Sequence, residues 1–241
     1  MGVTQNIQKQ ISTLADGTTF KYEQLDIEPQ EFSAAAKAIE RLIAKGVIRR
    51  VSTGMFYKPK KTVFGELKPN EEEILKPYLF EKGKRIAYIT GASLYNRLGL
   101  TTQVPKSIKI ASRDKRITVS NGNVKASPVK SYVDVTDKNF YLLGLLDALK
   151  DFKKIPDLDK SSAIKILLTE LKELNPTETK LLIKCGLSYP PRVRSFLGAL
   201  LENIKTESDL TALKISLNPL SKYEYGISKK QLATAENWNI K

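Results

Sequence analysis

The stretch QEFSAAAKAIERLIAKGVIRRVSTGMFYKP, residues 30–59, decides the reading of the fold. Phe32, Ala35, Ala36, Ile39, Leu42 and Ile43 recur at helical spacing, so 30–45 is expected to be one amphipathic helix stopped by Gly46. Its other face carries Gln30, Ser33, Ala34, Lys37 and Arg41. Two β-prone runs, 47–51 and 55–59, flank Ser52-Thr53-Gly54 and read as a hairpin. Upstream, Ile7, Ile11 and Leu14 share one helical face over 5–14, which ends at Asp16-Gly17. A short extended connector follows at 17–20, then a short helix at 22–25 ended by Glu28-Pro29. Three helices followed by a basic hairpin is the order of a winged helix-turn-helix, a module that reads double-stranded DNA.

Downstream the pattern changes. A linker over 60–69 leads to a helix beginning at Asn70, with Glu71, Glu72 and Glu73 in its first turn. Strands are expected at 84–89, 107–111, 116–120 and 123–129, with Asn121-Gly122 as a tight-turn signal. Thr90 is placed to cap a short helix through Leu98, closed by Gly99. Helical periodicity then fills 141–152, 161–174, 178–184 and 192–204, and the tail 217–241 is expected to pack back on the body. The expected class is α+β. A winged helix-turn-helix occupies 1–62, and one C-terminal domain spans 63–241, mixed α/β over 63–135 and mainly helical over 136–241.

The chain carries 40 Lys and Arg against 26 Asp and Glu, a formal charge of +14, which favours a polyanionic partner. Residues 82–130 hold eleven basic residues and one acid, Asp114, and 47–61 hold five basic residues and no acid. Beyond residue 135 the signs nearly balance, 17 basic against 13 acidic. The single cysteine, Cys185, forbids an intramolecular disulfide and reads as a buried structural thiol. With no secretory core and no apolar run long enough to span a bilayer, a cytoplasmic protein without membrane association is expected.

The sequence contains no histidine, which removes the usual general base, the triads that need one and most zinc sites. It has neither GxxxxGK[ST] nor GxGxxG. The expectation is therefore a non-enzymatic protein with no cofactor and no metal. For DNA, Ser33, Lys37 and Arg41 are the groove-facing candidates on the third helix. Arg49, Arg50, Lys58, Lys60 and Lys61 lie on or beside the wing, placed to neutralise phosphates, with Thr53 at its tip. A second basic surface is expected from Lys82, Lys84, Arg85, Arg97, Lys106, Lys109, Arg113, Lys115 and Arg116. The competing readings are a winged-helix transcription factor, a nucleic-acid- or protein-binding module on the same fold, or an enzyme built on Asp, Glu and Lys alone.

The runs AAKAIERLIAKGVIRR at 35–50 and GMFYKP at 54–59 resemble the N-terminal domain of AbiEi-like antitoxins. The run TGASLYNRLGLTTQVP at 90–105 resembles the central motif of the DUF6088 branch of that family, and is the more specific of the two. Together they cover the first half of the chain. Gln24-Leu25 departs from the Asp-Phe that many relatives carry before the recognition helix. The resemblance implies an antitoxin of a type IV toxin–antitoxin, or abortive-infection, system that represses its own promoter. Its partners would be the operator DNA, with a homodimer on that DNA as an option, and a cognate nucleotidyltransferase-like toxin that it counters by contact, by modification or by opposing its effect. Read from the residues alone, 90–105 is equally well a structural signature, with Asn96, Arg97 and Gln103 as its polar members.

Overall fold

The computed structural model describes residues 2–241 apart from 64, 122 and 123. It is α+β, and the chain forms two compact units, Met1–Arg85 with Val119–Lys125, and Ile86–Thr118 with Ala126–Lys241.

In the first unit α1 (Val3–Thr13) is followed by β1 (Thr19–Lys21), two single 3-10 turns, α2 (Phe32–Ala44), and the hairpin of β2 (Arg49–Ser52) and β3 (Met55–Tyr57). Both β1 and β2 pair antiparallel with β3, giving a three-stranded sheet. Ile7 and Ile11 of α1, Ile39 of α2, and Phe20, Ile48 and Phe56 fill the core. The helix expected at 22–25 is a 3-10 turn, Tyr22–Gln24, in which the Gln24 side chain accepts from the Lys21 N–H at 2.9 Å. So few residues before Glu28-Pro29 cannot support a helix nucleus. The stripe α2 buries is Ala35, Ala38, Ile39 and Leu42. Phe32, expected to lead it, is half exposed and stacks on Tyr22 at 5.1 Å.

The expected linker at 60–69 contains a second hairpin, β4 (Lys60–Thr62) with β5 (Gly65–Leu67). Asn70 caps α3 (Glu71–Leu79) by accepting from the Glu73 N–H at 2.8 Å. Leu75 of this helix is fully buried, and the Thr19 hydroxyl of β1 donates to the Glu73 carbonyl. Those contacts are why the compact unit runs past residue 62, through the short pair β6 (Phe80–Glu81) and β7 (Lys84–Arg85).

The second unit opens with β8 (Ala87–Thr90), α4 (Ala92–Arg97) and β9 (Ile108–Ser112), with β8 antiparallel to β9. β10 (Val119–Asn121) belongs to the first unit, and β11 (Val124–Lys130) begins there. From Ala126 onward β11 runs parallel to β9, so Lys130 lies opposite Ser112. Asn121 of the expected Asn121-Gly122 turn ends β10, while Gly122 and the strand start expected at Asn123 fall on residues outside those described. Thr90 is not a cap: it ends β8, and its hydroxyl donates inward to Asp147 at 2.7 Å. Gly91 is the N-cap instead, at φ 71 and ψ −153, a conformation essentially restricted to glycine. A Cβ there would also lie 2.8 Å from the Lys109 side chain.

Helices α5 (Phe140–Asp151), α6 (Lys160–Lys172), α7 (Pro176–Gly186), α8 (Pro191–Asn203) and α9 (Thr211–Ile215) complete this unit. Every residue of α5 from 142 to 149 is buried, which makes it the central helix. Cys185 is buried, and burial pushes its thiol pKa up. Among the described residues no helix is long and apolar enough to cross a membrane.

The tail packs on α8 through Trp238. The Ser195 hydroxyl donates to the Trp238 carbonyl at 2.5 Å, and the indole N–H donates to Glu202. Gly198 makes this docking possible, because a Cβ there would stand 2.2 Å from an indole ring carbon. Gly198→Ala is expected to cost about 1–3 kcal/mol of stability by overpacking. Trp238 is the single tryptophan, so its fluorescence should shift to the red in the variant at temperatures where the native chain is unchanged.

Candidate nucleic-acid interface

The buried stripe of α2 leaves Ser33, Lys37 and Arg41 on its solvent side, one helical turn apart and all exposed. Among the described residues neither Lys37 nor Arg41 has a side-chain partner. Gly46 ends the helix as expected, with the Val47 N–H reaching back to the Leu42 carbonyl at 3.0 Å. A four-residue turn, 45–48, then leads into β2, so the hairpin follows α2 closely. Thr53 is exposed at the hairpin tip.

The basic residues of the hairpin are more committed than the sequence suggests. Arg49 makes a bidentate pair with Glu66 of β5, at 2.9 and 3.1 Å. Arg50 pairs with Glu40 of α2 and lies over the Phe56 ring at 5.8 Å. Both pairs are open to solvent, Arg50–Glu40 more than Arg49–Glu66, and such contacts are worth about 0–1 kcal/mol, so a phosphate could displace either carboxylate. Lys58 is different. Its ammonium donates to the Leu14 carbonyl at 2.8 Å and the Ser12 carbonyl at 3.3 Å, and pairs with Asp16 at 3.3 Å. It thus satisfies the C-terminal end of α1 and is held away from phosphate duty. Lys60 and Lys61 are exposed on β4, without side-chain partners among the described residues.

The expected second basic surface divides between the two units. Lys82, Lys84 and Arg85 belong to the first, where Arg85 lies 4.4 Å from the centre of the Phe80 ring. Arg97, Lys106, Lys109, Arg113, Lys115 and Arg116 belong to the second, and all six are exposed. Arg113, Lys115 and Arg116 follow the C-terminal end of β9 and, with Lys130, line a cavity of about 350 Å³. Arg113 is anchored there, donating to the carbonyls of Ser131 at 3.2 Å and Tyr132 at 2.9 Å.

The motif at 90–105 proves to be a docking device for α5. Asp147, 2% exposed, accepts from Tyr88 at 2.8 Å and Thr90 at 2.7 Å, and its carbonyl accepts from Tyr95 at 3.1 Å. Lys150 neutralises it at 2.6 Å, and Tyr189 donates to it at 3.4 Å. Burial, and then the nearby Asp147 charge, push the Tyr88 and Tyr189 hydroxyl pKa values far up, so both remain donors. Asn96 donates to the Thr101 carbonyl at 3.1 Å and Gln103 to Asp157 at 2.9 Å, which gives both structural work. Asp147 and Lys150 are residues that helical periodicity alone does not single out. The signal was a lone carboxylate inside the apolar run FYLLGLLDAL. Among the described residues no group of three or more acidic or thiol side chains is arranged to hold a metal ion.

No curated protein matches the sequence. The fold is similar to that in the crystal structure of the RV2827C protein from Mycobacterium tuberculosis, with a TM-score of 0.52 and 13% identity over 91% of this chain and 83% of that one. At that identity the likeness concerns the fold alone. The sequence itself matches the DUF6088 family, a family of unknown function, over residues 6–170, and with two thirds of its length so matched the chain belongs to that family.

Proposed function

We propose that the chain is a DNA-binding autorepressor and the antitoxin of a type IV toxin–antitoxin system, acting without catalysis of its own. In this reading the first 62 residues are a winged helix-turn-helix, with α2 as the recognition helix and the β2–β3 hairpin as the wing. One observation carries it. Lys37 and Arg41 stand exposed and unpartnered, among the described residues, on the face of α2 opposite its buried stripe. A helix presented this way suits the major groove, and the hairpin that follows supplies phosphate-binding cations. Ser33, Lys37 and Arg41 reach base edges or phosphates, and Arg49, Arg50, Lys60 and Lys61 neutralise backbone. The antitoxin role rests on the resemblance of 35–59 and 90–105 to AbiEi-like antitoxins.

The two halves of the proposal separate in one experiment. The full chain is co-expressed with the nucleotidyltransferase-like reading frame expected beside its gene, with a reporter driven by its own upstream DNA. The chain should restore growth and lower reporter output. The double variant Lys37→Ala/Arg41→Ala should lose repression and keep the rescue. Failure of the native chain to restore growth removes the antitoxin role, and unchanged repression by the variant removes α2 as the reader.

A further inference from the structure

The C-terminal helical region holds a second cavity that owes nothing to α2 or the hairpin. It measures about 310 Å³, at the small end of the range of roughly 300–1,000 Å³ typical of small-ligand pockets. Its cations come from separate places in the chain: Lys150 from α5, Lys153 from the 3-10 turn after it, Arg192 from the first turn of α8, and Lys222 from the tail. Beyond residue 135 the chain is nearly balanced in charge, so four cations around one cavity are a local concentration, not a share of a general excess.

We propose that this cavity binds a small phosphomonoester. The charge count supports that class. Lys150 is matched by Asp147 at 2.6 Å, and Glu224 on the wall offsets one further cation. Two positive charges remain, against the charge of about −1.5 to −2 on a phosphomonoester at neutral pH. Lys153 and Lys222 are exposed, and among the described residues neither has a side-chain partner. The frame behind them is fixed. Arg192 donates to the Lys150 carbonyl at 2.9 Å, and the Tyr225 hydroxyl donates to the Arg192 carbonyl at 3.0 Å. α5, α8 and the tail are thereby tied together before any ligand arrives, which limits the ordering cost of binding. A half-open cavity of this size has room for a phosphate with a sugar-sized body.

Calorimetric titration of the full chain with inorganic phosphate, ribose 5-phosphate, adenosine 5′-monophosphate and uncharged adenosine tests the proposal. At least one of the three phosphates should bind with a Kd below about 1 mM while adenosine does not. Tighter binding of adenosine monophosphate than of ribose 5-phosphate assigns a nucleotide, and equal binding assigns the phosphate group itself. Lys153→Ala/Lys222→Ala should weaken binding about tenfold or more with an unchanged melting curve, since both side chains are exposed. Lys37→Ala/Arg41→Ala should bind the ligand as the native chain does, which keeps this result separate from any result on DNA. Absence of binding by all three phosphates, or equal affinity in the Lys153/Lys222 variant, overturns the proposal.

Discussion

Asp147→Ala is expected to lower the stability of the full chain by about 3–5 kcal/mol, a fall of roughly 10 °C in melting temperature. The carboxylate sits 2% exposed in the middle of the fully buried helix α5, and it is the acceptor on which three hydroxyls and one ammonium converge. Removing it leaves Lys150 without its counter-charge in a largely buried site, and leaves Tyr88 and Thr90 with donors facing a void. Unsatisfied buried groups cost about 1–3 kcal/mol each, and water entering the space recovers part of that, so the sum is not additive. Asp147→Asn keeps one acceptor oxygen and should lose about half as much. Chemical denaturation monitored by circular dichroism measures both. A loss below about 1 kcal/mol for the alanine variant would show that the network contributes little to the fold.

The second large effect is on DNA. Lys37→Ala/Arg41→Ala should weaken binding of the full chain to its own upstream duplex by about 100-fold, since a good base contact is worth about 1–3 kcal/mol. Both side chains are exposed, so the melting temperature should not move. Loss at an unrelated duplex should be smaller, because only phosphate contacts are lost there. Arg49 and Arg50 provide the contrast. In the proposed complex each exchanges a carboxylate, Glu66 or Glu40, for a phosphate, so replacing them should weaken all duplexes to a similar degree. Fluorescence anisotropy on labelled duplexes resolves these cases.

What could be read in advance follows from how local the determinants are. The helix α2 and its hairpin were legible because periodicity, a glycine stop and a β-turn lie within thirty consecutive residues. The helices α5 to α8 were legible for the same reason, with Asn175-Pro176 and Pro190-Pro191 as boundaries, whereas the five-residue α9 is too short to show a period. The fate of a polar side chain was not, because it depends on partners distant in sequence. Lys58 resembles a wing cation until α1 is placed beside it, 44 residues away. Thr90 looks like a cap until Asp147 draws its hydroxyl inward, 57 residues away. The stretch 60–69 resembles a linker because a hairpin of two three-residue strands with mostly exposed side chains has no apolar alternation to betray it. The tail could not be placed because its anchor is a missing side chain, Gly198, which signals a close approach without naming the partner. The cavity between α5, α8 and the tail went unseen for the same reason, its cations being spread from Lys150 to Lys222.

The central claim is that α2 and its hairpin hold duplex DNA. The most direct test is the affinity of the full chain for its own upstream duplex between 50 and 200 mM salt. Lys37, Arg41, Lys60 and Lys61 would account for a slope of roughly −3 to −4 in log K against log salt, steeper if Arg49 and Arg50 join them. A slope in that range that falls when Lys37 and Arg41 are replaced is the predicted result. No binding at 50 mM salt, or a slope unchanged by the two substitutions, would contradict it.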